Sequence, residues 1–297
     1  MDSFPTLELP LAKGSILEIY EIEEDLSVFR IGTPTHVYRA RDVQTKQLVA
    51  LKVFSLHYER HYAFEQELAR FLREVDIMQR LHHPHVLPIL AVGHNAHYYW
   101  LVTPYCPLGT LADYLELRQR APLPVREACT FAMQVCEALQ AVHTQSPPIL
   151  HRDIKPQNML LSDETSLMLS DFGIAHILYQ PHLTLHNRVL GTPAYMAPEQ
   201  LRSHPVNGSE IIDARLDIYA LGCVLYEMLS GHPPFTGLPE AVALAQLRIV
   251  PRPLYMLNEH VNQGLTLIVQ RALEKNAADR YPSAQAFAQA LTPFVEE

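Results

Sequence analysis

Two unlike residue patterns divide this chain, and no single layer of structure can hold both. Residues 16–54 run as ILEIYEI, THVYRA and LVALKV between polar turns. Alternating, β-branched runs of this kind suit strands with one buried face, so a small antiparallel sheet is expected. Beyond Pro104 the apolar repeat lengthens to three or four residues. Val125, Ala128, Ala132, Val135, Leu139 and Val142 form one stripe, which predicts a helix over 124–144 with a buried face. The run IYALGCVLYEML at 218–229 is apolar nearly all round, which suits a helix through the middle of a larger lobe. Helical patterns follow at 239–249, 263–274 and 283–292.

Within the first half, Phe64, Leu68, Phe71, Val75 and Met78 predict a helix from about Tyr62 to Leu81. Pro84 in HHPH stops it, because the residue before a proline avoids helical geometry. Two further strands are expected at 86–92 and 98–103. The predicted fold is α+β: an N-terminal extension (1–15), a small β-rich lobe with one main helix (16–104) and a larger helical lobe (105–297), joined near 104–109.

A net charge of −9 argues against a broad basic surface for nucleic acid. The N-terminus lacks a basic start followed by an apolar run, and no apolar run reaches the ~18 residues that span a bilayer. Cys106, Cys129, Cys136 and Cys223 show no CxxC pair and read as reduced, buried thiols, so a cytoplasmic protein is expected. Of the sixteen histidines, His57 and His61 are four apart and His82, His83 and His85 cluster, but no Cys or carboxylate completes a familiar transition-metal pattern.

The stretch HRDIKPQNML at 151–160, followed by LSDFGIA at 169–175, carries chemistry. Asp153, Lys155 and Asn158 fall inside six residues, and Asp171 follows thirteen after Asn158. Phosphoryl transfer needs such a set: a carboxylate to orient a hydroxyl, a cation for the moving phosphoryl group, and hard oxygens for Mg²⁺. Singly, these aspartates could be turn caps. Together and in this order they resemble HRDxKxxN…DFG of protein kinases, and the wording is most similar to bacterial Ser/Thr protein kinases.

That resemblance runs from about residue 16 to residue 292 and implies a bilobal fold and an enzyme using ATP and Mg²⁺. It implies Asp153 as the catalytic carboxylate, Lys155 as the cation beside it, and Asn158 and Asp171 as metal ligands. Lys52 in VALK would hold the α- and β-phosphates, oriented by Glu74. Val37, Ala50, Thr103 and Leu160, with the backbone at Tyr105 and Cys106, would receive the adenine. Met78, Ile89, His151 and Phe172 would stack as a spine. GTPAYMAPE at 191–199 resembles the segment that presents a peptide, with Arg280 the partner of Glu199. Lys155 and Thr192 mark Ser/Thr rather than Tyr specificity.

The departure lies in the phosphate lid. Counting back from Val37 places Arg30, Gly32 and Thr35 where the family carries three glycines. Such a lid is expected to hold phosphates less closely, since glycine lets backbone N–H groups approach without a Cβ in the way. An alternative therefore stays open: a kinase-like binding module with weak or no activity. A small-molecule phosphotransferase is a third class, against which GTPAYMAPE argues. The resemblance further implies Thr184 as a regulatory phosphorylation site paired with Arg152, a protein substrate, and self-association for autophosphorylation.

Overall fold

The computed structural model describes residues 10–27, 34–56, 64–172, 193–202 and 212–296. The chain divides into two compact units, one of residues 1–83 and 87–107, the other of residues 84–86 and 108–297.

In the first unit, β1 (Ile16–Leu17), β2 (Tyr20–Asp25), β3 (Thr35–Asp42), β4 (Leu48–Ser55), β5 (Ala91–His94) and β6 (Tyr98–Pro104) form an antiparallel sheet in the order β1-β2-β3-β4-β6-β5. Alternation sorts its faces. Tyr38, Ala40, Val49, Leu51, Val53, Trp100 and Val102 point to one side and build a core with Leu11, Leu17 and Ile22. The opposite face is split between packing and an open patch. Helix α1 (Phe64–Arg80) lays Phe64 and Phe71 over Phe54 and Leu101, with Leu68 and Val75 alongside. A bulge in β2 places two residues, Glu23 and Glu24, where β3 spends one. It turns Glu23 onto the Arg39 and Arg41 guanidiniums at 3.1 and 2.7 Å.

The strand expected at 86–92 is shorter and later than the sequence suggests. Only Ala91–His94 joins the sheet, because Pro88 has no N–H to give a ladder. Gly93 sits there because a Cβ would run into the Trp100 indole.

The second unit is built on helix α3 (Val125–His143) and helix α5 (Arg215–Ser230), which is buried along almost its entire length. Gly231, at φ 83°, caps α5 in the left-handed conformation that glycine takes without penalty. Around these pack α2 (Leu111–Leu117), α4 (Pro198–Leu201), α6 (Pro239–Arg248), α7 (Gln263–Ala272), α8 (Ala284–Leu291) and α9 (Pro293–Glu296). Helix α2 was not foreseen, although Thr110 and Asp113 exchange hydrogen bonds as a capping box at its start. A two-stranded ribbon, β7 (Met159–Leu161) with β8 (Leu167–Leu169), flanks the loop that carries Asp153. Among the described residues, no helix is long and apolar enough to cross a membrane.

Candidate active site

In the first unit the register decides which side chains share a surface. Val37 pairs with Lys52, and Arg39 with Ala50. Ala50 pairs in turn with Thr103, and Lys52 with Leu101. Directly paired residues point to one side, so Val37, Ala50, Lys52 and Thr103 lie together on the half-open face, the one α1 partly covers. Helix α1 supplies Glu74, only 4% exposed, whose Oε2 meets Lys52 Nζ at 2.5 Å. A lysine on a strand next to a buried helical carboxylate is held in one orientation, as a phosphate-binding cation must be. Tyr105 and Cys106 follow β6, and burial pushes the Cys106 thiol up to about 11, which leaves it unreactive.

The lid is only partly in view. Gly32 and Arg30 lie outside the described residues. Thr35, at the third glycine position, opens β3 opposite Phe54 and is not among the positive-φ residues. Its backbone therefore makes no demand for glycine. At the root, Ser27 Oγ accepts from Val37 N at 2.6 Å and Asp25 Oδ1 accepts from Ser27 N at 2.8 Å.

In the second unit the loop 151–158 gathers around one carboxylate. Lys155 Nζ donates to Asp153 Oδ2 at 2.7 Å, and Asn158 Nδ2 donates to the same oxygen at 2.9 Å and to Asp153 O at 2.8 Å. Its amide nitrogen is thereby committed, so the group Asn158 can offer a metal ion is its hard amide oxygen. Ser170 binds back to Asn158 O through its N–H and its hydroxyl, at 2.9 and 3.0 Å. Asp171, next in the chain, takes a left-handed φ of 61°, and Arg152 one of 67°. Such backbone strain costs on the order of 1–3 kcal/mol per residue and persists where surrounding bonds over-determine it. Leu160 pairs with Met168 in the flanking ribbon.

The bonds that hold Arg152 come from a residue the motif reading did not single out. Asp217, fully buried near the start of α5, accepts from His151 N at 2.9 Å, Arg152 N at 2.7 Å and His143 Nε2 at 2.8 Å. Burial alone would raise its carboxyl; the bond from His143 and the neighbouring donors outweigh that and hold it below the usual range. A lone aspartate opening an otherwise apolar helix was the available signal. Gln200, donating to Arg152 O at 3.1 Å, secures the loop from the other side.

Two of the four residues expected to stack share a cavity in the first unit, and the other two make a ring contact in the second. Met78 and Ile89 line a cavity of about 200 Å³ in the first. His151 and Phe172 rings lie 4.8 Å apart in the second. Arg280, 2% exposed, makes a bidentate pair with Glu199 at 2.7 and 2.8 Å. Arg152 is described, whereas Thr184, its expected partner, and Thr192 lie outside the described residues.

Comparison with known proteins matches residues 27–292 to the protein kinase domain. The chain is 34% identical over 271 residues to the serine/threonine-protein kinase PknB of Mycobacterium leprae, covering 89% of this chain and 41% of that one. It is 35% identical over 269 residues to PknL of Mycobacterium tuberculosis, covering 90% and 63%. A probable serine/threonine-protein kinase of Clostridium perfringens is 31% identical over 255 residues, covering 86% and 35%. The chain thus spans about two fifths of PknB and under two thirds of PknL. With the family match spanning both units and the motif residues within it, the chain belongs to the protein kinase family.

Proposed function

We propose that this chain is an ATP-dependent Ser/Thr protein kinase, moving the γ-phosphoryl group of ATP onto Ser or Thr hydroxyls of proteins. The observation that carries this reading is the convergence of Lys155 and Asn158 on the Asp153 carboxylate. A turn-capping aspartate has no need of a cation and an oriented amide; a proton-accepting one needs both, for aim and for charge. The donor set also fits Mg²⁺. Asn158 offers an amide oxygen and Asp171 a carboxylate, the sparse hard-oxygen set this ion accepts when phosphate oxygens complete its shell.

Mg·ATP, when bound, supplies the phosphoryl group as electrophile. Asp153 receives or orients the hydroxyl proton, and Lys155 places positive charge beside it. Lys52, fixed by Glu74, serves the α- and β-phosphates, with Gly32 in the lid above them. Val37, Ala50, Thr103 and Leu160, with the backbone at Tyr105 and Cys106, serve the adenine. Lys155 and Thr192 favour Ser and Thr over Tyr as acceptors. Thr184 is the proposed regulatory site: a phosphate there adds about −1.5 to −2 charge for Arg152 to meet. Self-association would bring one copy's Thr184 to another's loop. Four free, buried cysteines suit a cytoplasmic setting.

The test is transfer of radiolabelled phosphate from ATP to a generic basic protein, run beside Asp171→Asn. Transfer by the wild type, lost in the variant, supports an enzyme. ATP binding without transfer in the wild type would favour a binding module.

A further inference from the structure

The segment that begins at Pro193 is tied down by a chain of hydrogen bonds that passes through no member of the catalytic loop. Lys275 Nζ donates to Tyr219 Oη at 2.8 Å. The carbonyls of Ala194 and Pro193 can only accept, so the amide nitrogen of Gln246 must face them and its oxygen must face Tyr219. Nε2 lies 2.6 Å from Ala194 O and 3.2 Å from Pro193 O, with Cys223 Sγ at 4.0 Å. The Tyr219 proton goes to Gln246 Oε1 in a short bond, which leaves the Tyr219 oxygen to accept from Lys275.

Each step fixes the polarity of the next, so the assignment of the amide follows from the network itself. Gln246 and Tyr219 are both fully buried. Gln246 shares the inner side of α6 with Val242 and Ala245, where a leucine would fill the space more cheaply. A leucine would take the donor from Ala194 O and leave Pro193 O with the Met196 N–H alone, at 3.2 Å. The polar choice therefore answers to the segment it holds rather than to the core.

We propose that Gln246, set in place by Tyr219 and Lys275, is a positioning residue that fixes residues 193–195 in the conformation that accepts a protein substrate. The inference rests on the kinase reading above, through the role of GTPAYMAPE in presenting a peptide.

Two variants of the full chain, Gln246→Met and Tyr219→Phe, test it with two readouts: steady-state kinetics on a Ser/Thr peptide, and hydrogen exchange of residues 193–201 by mass spectrometry. Losing a buried donor pair is expected to raise the peptide KM about tenfold in Gln246→Met, leave the ATP KM within about twofold, and speed exchange in 193–201. Tyr219→Phe, which frees the amide without removing it, should show a smaller change of the same kind. A lower melting temperature with peptide KM and exchange unchanged would reduce Gln246 to a packing residue and overturn the proposal. A wild type that transfers no phosphate, in which Gln246→Met still loosens 193–201, would sink the kinase reading and leave the tether standing.

Discussion

Asp153 and Asp171 are both aspartates in short loops of one unit, yet their surroundings differ, and the proposed reading gives them different work. Asp153 has one oxygen claimed by a lysine and an amide, and the loop around it is closed by Asn158 and Ser170. Asp171 is carried by a strained backbone at φ 61°, where an ordinary capping aspartate would relax. Asp153→Asn keeps the shape and the bond from Lys155 to an oxygen but removes the base. Transfer should fall by about 10²–10⁴-fold with Mg·ATP affinity within about threefold. Asp171→Ala removes an oxygen from the metal set, so Mg²⁺-dependent nucleotide affinity should fall together with rate. Calorimetric titration of Mg·ATP into each variant separates the two. Equal loss of affinity in both would mean that the roles are not divided this way. Thr35 belongs at the same scale. Since its φ is unstrained, its cost to the lid is bulk and not backbone conformation, and a glycine there gains no geometry the chain lacks.

Among the elements, α5 does most to shape the catalytic loop, although it contributes no reacting group. Its first turn presents Asp217 to two consecutive backbone N–H groups and to His143 on α3; Tyr219 follows in its second turn and Glu227 in its last. Glu227 in turn accepts from Tyr195 Oη at 2.6 Å and Arg120 at 3.1 Å. Asp217→Asn replaces one acceptor oxygen with an N–H that faces other donors. Losing one partner of a buried charged network costs about 3–5 kcal/mol, and the loop should lose its left-handed Arg152. We expect kcat to drop more than about tenfold while the ATP KM stays within about twofold, with the urea midpoint lowered. An unchanged kcat in a folded variant would show that the loop holds itself. Much of the element layout was readable beforehand: periodicity located α1, α3, α6, α7 and α8 and an apolar run located α5, while Lys52, Asp153 and Asn158 were proposed from local motifs and Glu74 from its place along α1. The roles of Asp217, Gln246 and Tyr219 were not read, because they lie in bonds to residues 27 to 74 positions away in the chain. Periodicity marks a residue as buried; it does not say which buried polar group meets which carbonyl. The strand expected at 86–92 lies later because Pro88 has no N–H for the ladder.

For the molecule as a whole, the four cysteines make stability depend on pH above neutrality, and a single lysine works against them. Burial holds Cys106 up to about 11 and Cys129 and Cys223 up to about 12, against 9.0 for a free thiol, and Cys136 is raised as well. A group whose folded pKa lies above its unfolded value contributes stability that is complete below about 9 and is lost as pH rises toward the folded value. Lys275 goes the other way. Lowered from 10.5 to about 8, it is penalised as an ammonium in the folded state and relieved as pH climbs from about 8. Four thiols against one amine leave the unfolded state releasing more protons between about pH 8.5 and 10. Stability is expected to fall there, at about 1.4 kcal/mol per pH unit for each net proton. The buried tyrosines Tyr195 and Tyr219, also raised, extend the fall above pH 10. Urea midpoints measured under reducing conditions from about pH 8.5 to 10 should decline progressively. Cys129→Ala should make the decline shallower, because one thiol no longer ionises in the unfolded chain. Lys275→Met should make it steeper, because the opposing amine is gone. A midpoint that holds level or rises over this range would mean that the thiols are reached by solvent in the folded protein.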